Sequence, residues 1–445
     1  MTVDKKTFRT AALLCWVVGI CLTYSSGHVA ADSQTITKTP VAYKARVEQM
    51  FQAWIQELWP EAQAQGVSRK TFERAFKGVK LNWKLPEIVP PSVDGAGPVT
   101  GKKPKQSHKQ APEFDTPGNY FRPRIVNSRV SKGARKFRKW KSTLDAIEKK
   151  TGVHRAIIIA VWGAETNFGD FRIPHYAVRV IATSAFMGQR KEFFRKEVLI
   201  ALKILEEGHV TPNRMKSSWA GAMGHTQFMP SDFMRYAVDH NGDGRRDIWG
   251  TVEDALASTG RYLESSGWER GKTWGYEIAV PAEFDCTLAG RHQSRTIAEW
   301  LKLGVKRTHG RKFSQDRLSE KTAVLMPAGR YGPAFLALNN FYVIKTYNNA
   351  DLYALIIGHI ADRFSNDRPF QGKWTARGFP RDVVKGLQKR LVARGLDVGG
   401  ADGLIGFRTR IAVGQYQKDH GLKPTCWPTK ATLKHIRGTT PLEAE

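Results

Sequence analysis

Glu165 closes the apolar run Ala160-Val161-Trp162-Gly163-Ala164 and is followed by Thr166-Asn167-Phe168-Gly169. A carboxyl among apolar neighbours resists ionisation, because burial disfavours its charged form. An acid that keeps its proton can hand it to a leaving oxygen, which is general acid catalysis. A second piece lies downstream, Ser218-Trp219-Ala220-Gly221-Ala222-Met223-Gly224-His225-Thr226-Gln227-Phe228-Met229-Pro230. Its small residues let backbone approach a ligand, while Met223, Gln227 and Phe228 offer apolar and amide contacts. That combination suits a sugar. Glycosidases ordinarily pair two carboxylates. Near Glu165 the chain offers Asp170, and spacing alone does not assign it. Taken alone, Glu165 reads more readily as a buried structural acid.

The elements that must hold these residues read as mostly helical. Ile157 to Trp162 is apolar on every side, so its helix must be buried. Asn167 and Gly169 are stop signals for it. Val41 to Phe76 is helix-like, with Phe51, Trp54, Ile55, Leu58 and Trp59 at helical spacing and Ser68 as an N-cap. Leu85 to Pro117 is rich in Pro, Gly and Lys without a hydrophobic period, and reads as a long loop. Helical patterning resumes from Ser131 to about Phe364, and Asn339 to Phe364 reads as one tract. Tyr276 to Val280 and Thr322 to Leu325 read as short strands. Phe370 to Phe379 reads as a linker. Beyond it, Val383 to Leu391, an Asp402-Gly403 loop, Phe407 to Ala412 and Gln415-Tyr416-Gln417 form a compact helical unit.

The Glu165 and Ser218–Pro230 motifs together resemble the membrane-bound lytic transglycosylase B family of lytic murein transglycosylases. The helical unit after the linker resembles the small three-helix peptidoglycan-binding module. The resemblance implies a mainly α fold: a lysozyme-like α-helical catalytic domain with a minor β region, over residues 32–368, then a linker at 369–379 and the binding domain at 380–438. It implies a single catalytic acid, Glu165, that protonates the bond between N-acetylmuramic acid and N-acetylglucosamine. The same group then accepts the proton of the muramic C6 hydroxyl as that oxygen attacks its own C1, leaving a 1,6-anhydro end. An intramolecular nucleophile carries the proximity advantage. Motif matching places Ser218, Met223, Gln227, Phe228, Tyr262, Tyr347, Asn348 and Tyr353 against the glycan. Arg190 falls at a basic position facing muropeptide carboxylates, and Tyr120 lies beside the long loop. For any one aromatic the plainer reading is core packing.

Asp239-His240-Asn241-Gly242-Asp243-Gly244 follows the first half of an EF-hand loop, where oxygen ligands sit on a tight turn. Gly250 stands where the closing Glu is expected, and Asp254 supplies the carboxylate in similar family members. The expected calcium ligands are Asp239, Asn241, Asp243, the Arg245 carbonyl and Asp254, in a structural role; the plainer reading is a solvated turn. No organic cofactor is expected.

The chain holds 70 Lys and Arg against 41 Asp and Glu, a net charge of +29. Such charge favours polyanionic partners. Peptidoglycan strands and their carboxylates fit; nucleic acid does not, because no readout module is visible. Other cell-wall enzymes are further expected partners, and a monomer is expected. Residues 1–31 read as a signal peptide: Lys5, Lys6 and Arg9, an apolar Ala11–Leu22, then Val29-Ala30-Ala31 for cleavage. Neither Cys15 nor Cys21 follows the small residue that lipidation requires, so a soluble periplasmic protein is expected. Cys286 and Cys426 remain after cleavage, and either a bond between them or two free thiols fits the sequence. The competing functions are a lysozyme-type hydrolase and a non-catalytic wall-binding scaffold.

Overall fold

The structure is a computed structural model that describes residues 41–93, 116–365 and 368–439. The signal segment and residues 94–115 of the long loop lie outside them. The chain forms two compact units, Met1–Lys105 with Lys136–Ser265, and Gln106–Arg135 with Ser266–Glu445.

The first unit is helical. Ten of the twelve residues of Arg155–Thr166 are buried, including the unbroken run Ala156 to Gly163, as an apolar helix requires. Helices Lys141–Thr151 and Val252–Ser265 pack against it. Helices Ala177–Met187 and Lys191–Glu206 pair as a hairpin, and the latter also packs on the short helix Pro230–Tyr236. Ser68 caps Arg69–Phe76 by accepting the Thr71 N–H, as its sequence position predicts. A short antiparallel pair, His175–Tyr176 with Lys216–Ser217, leads into the Ser218–Pro230 run.

The second unit is built on a five-stranded antiparallel sheet. Its order is Arg295–Thr296, Lys321–Leu325, Ala334–Ala337, Gly275–Ala279 and Lys306–Arg307. The two strands expected from sequence are both members. The tract from Asn339 is two helices rather than one, Asn339–Tyr347 and Asp351–Ser365. Asn348 is extended at φ −148°, ψ 118°, and breaks the run. The fold is mainly α with a minor β region, as expected.

The segment 370–379 is more than a spacer. Phe370 stacks on His359 with ring centroids 3.8 Å apart, and Trp374 stacks on Phe121 at 4.7 Å. Helices Arg381–Val392, Phe407–Asp419 and Lys430–Thr439 follow and share a core of Leu387, Leu391, Val413, Tyr416 and Ile436. This three-helix group is fastened to the sheet. Cys286 and Cys426 form a disulfide inside the core cluster that contains Trp300, Val324 and Leu336. The backbone N–H of Arg330 donates to the Thr425 carbonyl at 2.9 Å. Trp427 is buried with Ala328, Ala376, Val384 and Ile405. Arg410 and Lys345 both reach the Asp351 carboxylate, at 3.4 and 2.7 Å. Among the described residues no helix is long and apolar enough to cross a membrane.

Candidate active site

Glu165 lies on the last turn of Arg155–Thr166 and is 5 % exposed. The helix stops abruptly after it, because Asn167, Phe168 and Gly169 take φ values of 51°, 62° and 84°. Three left-handed residues in a row reverse the chain at once. Gly169 is suited to this conformation; Asn tolerates it, and Phe does not favour it. Packing holds Phe168 there: its ring lies against Gly163, so close that a Cβ on Gly163 would fall 2.4 Å from the ring Cζ. The same ring meets Trp162 edge-on at 5.8 Å. A glycine two residues before the acid and a strained aromatic three residues after it therefore set where Glu165 sits.

The Ser218–Pro230 run is fitted to this helix end through His225. The Trp162 indole N–H donates to His225 Nδ1 at 3.2 Å, and the Thr166 hydroxyl reaches the His225 carbonyl at 3.5 Å. Both partners flank Glu165 on its own helix. Burial pushes the His225 pKa down, which keeps Nδ1 free to accept the indole proton. His225, Trp162 and Thr166 are positioning residues that sequence reading passed over. The Trp162–Thr166 spacing, one helical turn, was the available signal.

Within the run, Met223 and Phe228 exchange backbone hydrogen bonds at 2.7 and 3.2 Å and close a tight hairpin. Gln227 sits at its tip with φ 54°. The Gln227 side-chain N–H donates to the Gly224 carbonyl at 2.9 Å. Its Oε1 is buried and has no hydrogen-bond partner among the described residues. The Ser218 hydroxyl accepts the Ala222 N–H at 3.3 Å, and so shapes the loop. Met223 and Phe228 are 0 and 2 % exposed; they support the loop from beneath rather than offer it a surface. Tyr262 joins them, its ring 5.7 Å from Phe228 and 4.9 Å from Tyr236. Glu197, also unremarked in the sequence, is 3 % exposed and accepts the Ser231 N–H at 2.9 Å, anchoring the end of the run. Asp170 is exposed.

The other expected residues are carried by other elements. The Arg190 guanidinium rests over Phe193 and Phe194, at 4.8 and 5.1 Å, ahead of helix Lys191–Glu206. Tyr120, Tyr347, Asn348 and Tyr353 belong to the second unit, where the last three are buried.

The Asp239 loop is coiled as its Asx-rich sequence demands, but its oxygens do not converge as a ligand set. Asp239 accepts the N–H groups of Gly242, Asp243 and Gly244, at 2.7, 3.2 and 2.8 Å. Asn241 accepts the Asp243 N–H and Asp243 the Arg245 N–H. Asp254 is fully buried and spends one oxygen on the His240 N–H and the other on the Asp247 N–H, both at 2.8 Å. Among the described residues no group of three or more His, Cys, Asp or Glu side chains is gathered to hold a metal ion. Side-chain oxygens folded onto backbone donors explain the difference from the expected cage.

Residues 50–362 match the Transglycosylase SLT domain family and residues 380–436 match a peptidoglycan binding domain. The chain belongs to the Transglycosylase SLT domain family, and the protein is a lytic transglycosylase. It is 28 % identical over 273 residues to membrane-bound lytic murein transglycosylase B of Escherichia coli (strain K12), covering 60 % of this chain and 70 % of that one. Among solved structures it is similar to SltB3 from Pseudomonas aeruginosa in complex with NAG-NAM-pentapeptide, at 37 % identity and TM-score 0.76, over 87 % of this chain and 99 % of that one. The SltB3 complex with NAG-anhNAM-pentapeptide matches at 36 % identity and TM-score 0.75, with the same coverage.

Proposed function

We propose that the protein cleaves the MurNAc–GlcNAc β-1,4 bond of peptidoglycan without consuming water, with Glu165 as its single general acid and base. The observation that carries this reading is the grip of Trp162 and Thr166 on His225. It joins the helix end that bears Glu165 to the loop that bears Gln227. In the proposed reaction the Glu165 carboxyl donates its proton to the glycosidic oxygen as the C1–O bond breaks. The resulting carboxylate takes the proton of the muramic C6 hydroxyl while that oxygen bonds to C1. Atoms balance, and the product end is 1,6-anhydro-MurNAc. A single acid suffices for both proton transfers. Gln227 Oε1 would accept a bond from the sugar, and Ser218 and Tyr262 would border the strand.

The three-helix group would hold the enzyme on its polymeric substrate, helped by the net charge of +29. Export to the periplasm is part of the reading. The buried Cys286–Cys426 disulfide supports it, because such bonds persist in oxidising compartments. A structural calcium at Asp239, Asn241, Asp243, the Arg245 carbonyl and Asp254 is also proposed on the loop's all-oxygen pattern; binding would require its carboxylates to turn from backbone N–H groups to the ion.

The test is mass spectrometry of purified peptidoglycan digested by the mature protein and by Glu165→Gln. Anhydromuropeptides from the wild type, with a loss of at least ~100-fold in the variant, are expected. Reducing ends that have gained water would replace this reading with hydrolysis. Undiminished activity in the variant would remove Glu165 from the chemistry.

A further inference from the structure

An open cleft of about 350 Å³ in the second unit is lined by Thr322, Ala323, Ala337 and Leu338. Its walls carry charges of both signs: Glu269 and Glu320 against Lys272, Arg291 and Lys321. Two polar groups here are left unpaired. The Glu320 side chain is 8 % exposed; its Oε1 is held by Lys272 and by Arg317 at 2.9 Å, whereas its Oε2 is buried with no hydrogen-bond partner. The Tyr342 hydroxyl is likewise buried without one. Burial pushes the Tyr342 pKa up, so the phenol stays neutral. Arg291 lies over its ring, 4.4 Å from the centroid.

The neighbourhood is not short of hydrogen-bonding discipline. Asn340, beside Tyr342, is fully buried and satisfied: its side-chain N–H groups donate to the carbonyls of Glu269 and Lys272, and its oxygen accepts the Glu269 N–H. An unpaired buried polar group destabilises the fold, and native structures contain few of them. Two such groups lie on residues that line this one cleft, where a ligand that displaced the side chains covering them could supply the missing partners. Glu320 asks for a donor, best a cation. Arg291 and Lys321 ask for an anion, and the Tyr342 hydroxyl can either donate or accept.

We propose that this cleft binds a short peptide carrying both a free ammonium and a free carboxylate, the chemistry of the peptide branch on a murein strand. The ammonium would meet Glu320 and the carboxylate would meet Arg291. The choice of ligand rests on the peptidoglycan reading above, but the cleft contains none of the residues assigned to cleavage. It would let the enzyme sense the peptide decoration of a strand separately from its sugars.

The experiment is calorimetric titration of the full mature chain with the sugar-free stem tetrapeptide L-Ala-D-Glu-diaminopimelate-D-Ala. The comparison probes are the same peptide with amines acetylated and carboxyls amidated, and a chitin tetrasaccharide. The wild type should bind the free peptide and lose at least fivefold in affinity for the blocked one. Tyr342→Phe should weaken the free peptide about five- to twentyfold while leaving the thermal midpoint unchanged or raised, since it deletes a hydroxyl with no partner in the protein. Glu320→Gln should weaken it as well. Glu165→Gln should bind the free peptide as the wild type does. Equal binding of free and blocked peptide, equal binding by Tyr342→Phe, a lowered midpoint in that variant, or no binding of the free peptide would each overturn the proposal. Loss of cleavage with retained peptide binding, or the reverse, separates failure of this site from failure of the catalytic reading.

Discussion

His359 provides a stability prediction whose sign and size can both be worked out. It is 5 % exposed, stacked on Phe370 at 3.8 Å and set edge-on to Phe121 at 6.4 Å. Burial, with the nearby Arg363 charge adding to it, pushes its pKa down to about 3. In the unfolded chain the imidazole titrates near 6.5. Between those values the unfolded chain binds a proton that the folded chain refuses, so stability is whole above about pH 6.5 and falls as pH drops. At pH 5 the loss is about 2 kcal/mol. Asp362 titrates in the opposite sense. Burial pushes it up to about 7, so its contribution is present at low pH and lost as pH rises through 7. The wild type alone would therefore show a muted profile. His359→Phe keeps an aromatic ring in the stack and removes the titrating group. In urea unfolding, the stability of His359→Phe relative to wild type should improve by about 2 kcal/mol between pH 7.5 and pH 5. A difference that is the same at both pH values would refute the claim that His359 is held neutral by its packing.

Two further outcomes are expected. Reducing Cys286–Cys426, or replacing both residues with Ala, should destabilise the second unit by up to about 5 kcal/mol, from the chain entropy of a 140-residue loop. This should appear as a fall of up to about 1.5 M in the urea midpoint, at an m-value of about 3 kcal/mol/M; an unmoved midpoint would mean that the Trp427 and Arg410 contacts hold the three-helix group unaided. Calcium at about 100 times its dissociation constant should stabilise the wild type by ~2.7 kcal/mol and leave Asp243→Ala unmoved. No shift with either calcium or chelator in the wild type would show that the Asp239 loop is closed by its backbone hydrogen bonds alone.

Local signals were legible where neighbours in sequence settle the structure. The all-apolar face of Ile157–Trp162 announced a buried helix, and Ser68 announced a cap. Alternation and β-branching marked the strands at Tyr276 and Thr322. What sequence did not disclose depends on distant partners. Whether Cys286 meets Cys426 is decided by the docking of a helix group onto a sheet, which no spacing encodes. The 370–379 segment looked like a linker because Phe370 and Trp374 pack without a period, one on His359 of the preceding helix and the other on Phe121, far away in the chain. The Asn339–Phe364 stripe hid a break because both helices bury an apolar face. Asp239-His240-Asn241-Gly242-Asp243-Gly244 is ambiguous for a different reason: the side-chain oxygens that ligate calcium also close Asx turns, and the pattern cannot separate the two. At the active site, Glu165 and the Ser218–Pro230 run were readable as motifs, whereas the Trp162–His225 contact that joins them was not.

The disulfide also fixes how the chain carries a pull. Any tension between the three-helix group and the rest of the molecule is shared by a covalent shortcut from Cys426 to Cys286. The intervening polypeptide would extend to roughly 480 Å if drawn straight, yet it is slack while the bond is intact. Four of the five sheet strands, all but Gly275–Ala279, and the two helices after Asn339 lie within that slack loop, shielded from a pull applied beyond Cys426. A protein working on a stretched polymer network would thus keep that portion of its fold at rest, and chemical reduction would turn a stiff joint into a long tether.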